Sequence, residues 1–231
     1  MANKEKNEQQ DQLEIVESKI GQTEQYIEEN RNKIFTVIAI IAAIILGYLA
    51  YQKYVKLPKE QKATAQMFQA ENYFERDSFD LALNGDGNYP GFVKVMSDYS
   101  GTKAANLAKY YASICYFRTQ NYDKALECIN GFSAKDKNLA PISKGIAGDC
   151  WVEKGDLDKA QKCYKDAVAA ADGNAFVAPI YLSKLGKLME KQGKYQEALA
   201  FYNTIQSSYP KSNEAKTIDR DIELMKIKIG N

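Results

Sequence analysis

The stretch GDLDKAQKCYKDA (Gly155–Ala167) maps almost position for position onto GKYQEALAFYNTI (Gly193–Ile205), and NYDKALECINGF (Asn121–Phe132) is a third version. In each, a turn precedes an aromatic residue or Leu: Tyr122, Leu157, Tyr195. Three residues on comes an alanine (Ala125, Ala160, Ala198), and four further on an aromatic or aliphatic residue (Ile129, Tyr164, Tyr202). Twelve residues before each alanine stands a small residue: Ser113, Gly148, Gly186. The alanines are 35 and 38 residues apart, room for two helices and their turns. Small side chains at matched places in both helices are expected where the pair crosses closely, with Trp151, Tyr164 and Tyr202 filling wider gaps. Gly155 and Gly193 fall where a turn often needs positive φ. An unrelated helical bundle would also contain small residues and aromatics, but not at this regular spacing.

This pattern resembles the tetratricopeptide repeat, which implies an all-α solenoid of antiparallel helix pairs. Three repeats are assigned to residues 102–212. The first departs from the pattern, with Ser113 for glycine and Gln120 at the turn. Upstream, residues 52–101 read as a linker and a degenerate first helix pair, with KEQKATAQMFQAENYFERDSF as its beginning and ALNGDGNYPGFVKVMSDYSGT as an inserted loop. After Pro210, residues 213–231 place Ile218, Ile222, Met225 and Ile229 on one stripe, the mark of a capping helix. In this family the groove is lined by the first helices of each pair. Those places correspond here to Tyr110, Ile114, Phe117, Asp149, Val152 and Lys187. The Lys and Asn set with which some members clamp a C-terminal carboxylate is missing: its places hold Tyr110, Ile114, Gly145, Asp149, Ser183 and Lys187.

Residues 34–51, IFTVIAIIAAIILGYLAY, carry no charge over eighteen positions. A helix of that length is roughly 27 Å long, close to the ~30 Å hydrocarbon layer. Tyr48, Tyr51 and Tyr54 gather at one end, and Arg31, Lys33, Lys53 and Lys56 bracket the run, as at membrane interfaces. A buried helix of a soluble core rarely stays apolar on every face for so long. The preceding 33 residues are too long and too acidic for the head of a cleaved signal peptide, so a single N-terminal transmembrane helix is expected. Residues 1–33 hold eight acids and five bases, and Leu13, Val16, Ile20 and Ile27 lie in helical register. An amphipathic helix and a solvated tail are equally compatible with that segment. Lysines follow the span at 53, 56, 59 and 62, so charge counting alone leans slightly against a cytoplasmic N-terminus.

The whole chain of 231 residues has 31 Lys+Arg and 30 Asp+Glu, a net charge of +1. That near-neutrality argues against nucleic acid as a partner. It also conceals a division: −3 before the apolar run and +4 after it. There is no histidine, which removes Ser-His-Asp and Cys-His catalysis and His-ligated zinc. Scattered acids give no convergent acid/base site, and NGDGNYPG lacks the residues of a P-loop or an EF-hand. No enzyme activity, metal, cofactor or small-molecule substrate is expected. Cys115 and Cys128 are thirteen apart, as are Cys150 and Cys163, so the cysteines sit at equivalent repeat positions. That spacing does not suit thiolate zinc. Two readings stay open: small buried apolar residues, or a disulfide within each pair in an oxidising compartment.

The plan of acidic tail, apolar span and short repeat domain, with TEQYIEENRNKI before the span and SGTKAANLAKYYA and GIAGDCWVEKGDLDKA after it, resembles the ancillary SecYEG translocon subunit family, in its Bacteroidetes branch. The resemblance implies a bacterial inner-membrane protein with a cytoplasmic tail and periplasmic repeats. Its expected partners are Sec translocon subunits and a periplasmic chaperone or emerging polypeptide. A structural subunit of another envelope assembly, for motility or export, is the alternative.

Overall fold

The computed structural model describes residue 28, residues 30–134 and residues 137–230. The amphipathic stripe expected in the N-terminal tail lies outside the described residues. The chain divides into two compact units, residues 1–58 and 59–231. Among the described residues all regular structure is helical apart from one isolated bridge, Gly85 to Pro90.

In the first unit, helix α1 (residues 30–51) carries the apolar run and leads into a π-helical turn at Gln52–Lys56. None of its apolar window is buried, and Ile44 and Leu46 are 67% and 66% exposed. The helical stretch that begins at Asn30 is long and apolar enough to cross a membrane by length and composition.

The second unit holds all but the first two residues of α2 (Leu57–Glu75), then α3 (Phe79–Asn84), α4 (Phe92–Asp98), α5 (Lys103–Arg118), α6 (Tyr122–Asn130), α7 (Leu139–Glu153), α8 (Leu157–Ala171), α9 (Ala178–Lys191), α10 (Tyr195–Ser208) and α11 (Ala215–Gly230). From α3 onward consecutive helices pack on one another, so α5/α6, α7/α8 and α9/α10 form three successive hairpins and α11 lies against α10.

One turn joins each helix pair. Gln120, Gly155 and Gly193 have φ of 61°, 79° and 73°, and Asp77 between α2 and α3 has 55°. The following amide reaches back five residues in every case: Ser78 to Tyr73, Asn121 to Tyr116, Asp156 to Trp151, Lys194 to Met189. This is a Schellman termination, with a left-handed residue closing the helix. Gln120 and Asp77 adopt it without glycine, so α2/α3 is bent by the same device as the three regular pairs. The next residue caps the second helix in two of the four turns, and Ser78 at the start of α3 makes no such bond. Asn121 and Asp156 accept the Lys124 and Lys159 amides at 3.4 and 3.1 Å, whereas Lys194 makes no such bond.

The tight crossings are made by tyrosine against glycine. A Cβ on Gly148 would fall 2.5 Å from Tyr164 Cε1, and one on Gly186 would fall 2.1 Å from Tyr202 Cε1. Tyr164 and Tyr202 therefore do not fill wider gaps, as the sequence suggested; each ring occupies the space that its glycine vacates. Trp151 differs from both. It is only half-buried, with the Lys159 ammonium 4.2 Å from its ring centroid. In the first hairpin the same two places hold Ser113 and Ile129, both buried, a larger residue opposite a smaller one. Ala125, Ala160 and Ala198 are wholly inaccessible. On α11, Ile218, Ile222 and Met225 are buried as the stripe requires. Ile229 is not: it lies in the last turn and is 38% exposed.

Candidate functional site

On α5, Tyr110, Ile114 and Phe117 recur at i, i+4 and i+7 and so share one face. Ile142, Ile146 and Asp149 do the same on α7. The two rows, with Arg118 and with Tyr181 from α9, line an open cavity of 440 Å³. Four of the six expected groove residues thus come together: Tyr110, Ile114, Phe117 and Asp149. Val152 does not line it, and Lys187 is exposed in another cavity between α9 and α11. The residues not foreseen are Arg118, Ile142, Ile146, Tyr181 and Lys184. The register of Ile142 and Ile146 with Asp149 was present in the sequence. Lys184 carried no such signal, because its relation to Asp149, 35 positions away, exists only in the folded chain.

Asp149 is the electrostatic centre. Its carboxylate accepts the Tyr164 hydroxyl at 2.6 Å and the Lys184 ammonium at 2.5 and 2.6 Å. Lys184 Nζ also stands 5.6 and 5.8 Å from the ring centroids of Tyr164 and Tyr181, which stack 6.3 Å apart. Burial, and then the Asp149 charge, push both phenols above the usual tyrosine range, so both remain protonated. Gly145 makes this arrangement possible, since a Cβ there would fall 2.1 Å from Tyr181 Cε1. Helices α7, α8 and α9 are therefore joined at the cavity edge by one ion pair, one phenol bond and two stacked rings.

Among the described residues no cluster of three His, Cys, Asp or Glu could hold a metal. All four cysteines are free thiols, so neither the Cys115–Cys128 nor the Cys150–Cys163 disulfide is formed in the structure. Burial pushes the Cys115, Cys128 and Cys150 thiols up to about 12, 11 and 12, and raises Cys163 as well. Such groups contain almost no thiolate at neutral pH and are poor nucleophiles. What the cavity offers is an apolar floor, protonated phenols and a rim with fixed charges.

A family model for a tetratricopeptide repeat-like domain matches residues 65–190, more than half of the chain, and a tetratricopeptide repeat model matches residues 182–212. No curated protein matches the chain.

Proposed function

The chain belongs to the tetratricopeptide repeat-like family, and on that premise we propose that it is a non-enzymatic scaffold, tethered to a membrane by α1, whose α5–α7–α9 face receives segments of other proteins. Repeats of this family imply protein–protein interaction. The observation that carries the reading is the cavity of 440 Å³, floored by Ile114, Ile142 and Ile146 and open to solvent along the first-helix face. Apolar surface left concave and accessible is the usual form of a docking site. A tether complements it, because confinement to a membrane raises the effective concentration at one location without tight binding.

The finer assignment places the scaffold at the periplasmic side of the Sec translocon in a bacterial inner membrane, where it assists chaperone recruitment or the folding of emerging chains. Its support is the resemblance in the segments around the apolar span and in the first repeats. The experiment is photocrosslinking in cells from a reactive residue placed at Ile114, combined with purification in mild detergent. Translocon subunits should copurify, and a chaperone or secreted chain should crosslink. Recovery of neither overturns the assignment. A reporter fused at the C-terminus should be active in the periplasm; cytoplasmic activity overturns the orientation.

A further inference from the structure

The charges around the α5–α7 cavity are not balanced. Its acid, Asp149, is already matched by Lys184, which approaches both carboxylate oxygens. Its cation, Arg118, enters none of the ion pairs among the described residues. Arg118 has a neighbouring ring. Its guanidinium carbon lies 6.0 Å from the centroid of the Phe79 ring on α3, within cation–π range. Arg118 donates no hydrogen bond among the described residues, so its N–H groups, the donors that match a carboxylate in bidentate geometry, are open to a ligand. Tyr110 and Tyr181 line the same cavity, and their phenols remain protonated donors.

An apolar floor beside one unmatched guanidinium specifies more than a generic segment. We propose that the cavity binds an extended acidic, hydrophobic peptide, one large apolar side chain entering between α5 and α7 and a neighbouring carboxylate closing on Arg118. The inference rests on the groove reading above and adds the partner's chemistry to it. A basic segment would meet Arg118 with like charge and find Asp149 already engaged by Lys184. A neutral one would leave the guanidinium unanswered. The unpaired charge of Arg118 therefore sets both preference and salt dependence.

The test uses the full-length chain in detergent and three fluorescent peptides that share one Phe and differ only in two flanking positions: Asp-Asp, Asn-Asn or Lys-Lys. The Asp peptide should bind about tenfold tighter than the Asn peptide, the Lys peptide weakest, and the difference should shrink with added salt. Arg118→Glu should reverse the order. Arg118 is exposed, so the variant is expected to keep the wild-type circular dichroism spectrum, which checks that it folds. Equal binding of all three peptides, abolished by Ile114→Asp, overturns the acidic preference and leaves the groove standing. Binding of none, or binding indifferent to Ile114→Asp, overturns the groove reading and this inference with it. An order unchanged in Arg118→Glu overturns the role of Arg118.

Discussion

One added methyl group at Gly148 would sit 2.5 Å from the Tyr164 ring, whose hydroxyl is fixed on Asp149. The ring cannot retreat without giving up that bond, so Gly148→Ala should destabilise the domain by about 1–3 kcal/mol in urea unfolding, the usual cost of overpacking. Tyr164→Leu in the same chain should recover part of the loss, because Ser113 opposite Ile129 already uses a larger residue against a smaller one. No recovery would show that the clash lies elsewhere. The thiols give a second expectation at this scale. Cys115 rises from an ordinary 9.0 to about 12 through burial, so the folded chain keeps a proton that the unfolded chain loses in between. Its contribution to stability is complete below pH 9 and is lost as pH climbs toward 12. Stability should therefore fall between pH 8 and pH 10.5 by about 1–2 kcal/mol more in the wild type than in Cys115→Ala. Protein denatured without reductant should titrate four free thiols.

Helix α5 begins without an acid in its first turn, yet its amides are not left bare. Glu60 of α2 accepts the Lys103 and Ala104 amides at 2.8 Å each, and Lys59 donates to the Ser100 carbonyl at 3.0 Å. Thr102 supplies the local cap by accepting from Ala105 at 3.0 Å. Two charge-assisted bonds to the positive end of a helix are worth about 1–2 kcal/mol. Glu60→Ala should lose that amount in thermal unfolding, and Glu60→Gln about half. Equal behaviour of Glu60→Ala and wild type would make the contact incidental. The sequence revealed the pairing of α7 with α8 and of α9 with α10, since small residues and turn glycines recur there at fixed spacing. It did not reveal that α2 and α3 share the same turn, because Asp77 adopts the left-handed conformation without glycine's signature. Nor could it reveal Glu60 as a cap, for the partner amides lie more than forty residues away. Local chemistry repeats and is legible; long-range hydrogen bonds follow only from the completed stack.

At the scale of the whole molecule, the cavity shares residues with the packing: Tyr181 and Ile142 belong to or pack against one buried cluster, and Tyr110, Phe117 and Ile146 pack against another. Ala125, Ala160, Ala198 and Tyr202 are buried between helices, while Ile142, Ile146 and Arg118 remain partly or fully accessible on the first-helix face. The packing positions recur with the repeat and so show in the spacing, whereas the cavity's floor obeys helix register but its charges depend on which helices become neighbours. The apolar helix is separate from both. Its unit ends near residue 58, and the repeat unit has its own buried clusters in residues 59–231. Arginines at Ile40 and Ile44 would each cost about 2.5–3.5 kcal/mol at the centre of a membrane helix. The double substitution should therefore move the chain from the carbonate-resistant membrane pellet to the supernatant, while far-UV helicity and the unfolding midpoint of the repeats stay as in wild type. A wild-type chain released by carbonate would overturn the tether. A repeat domain that unfolds along with the altered helix would show that the two units depend on each other for stability.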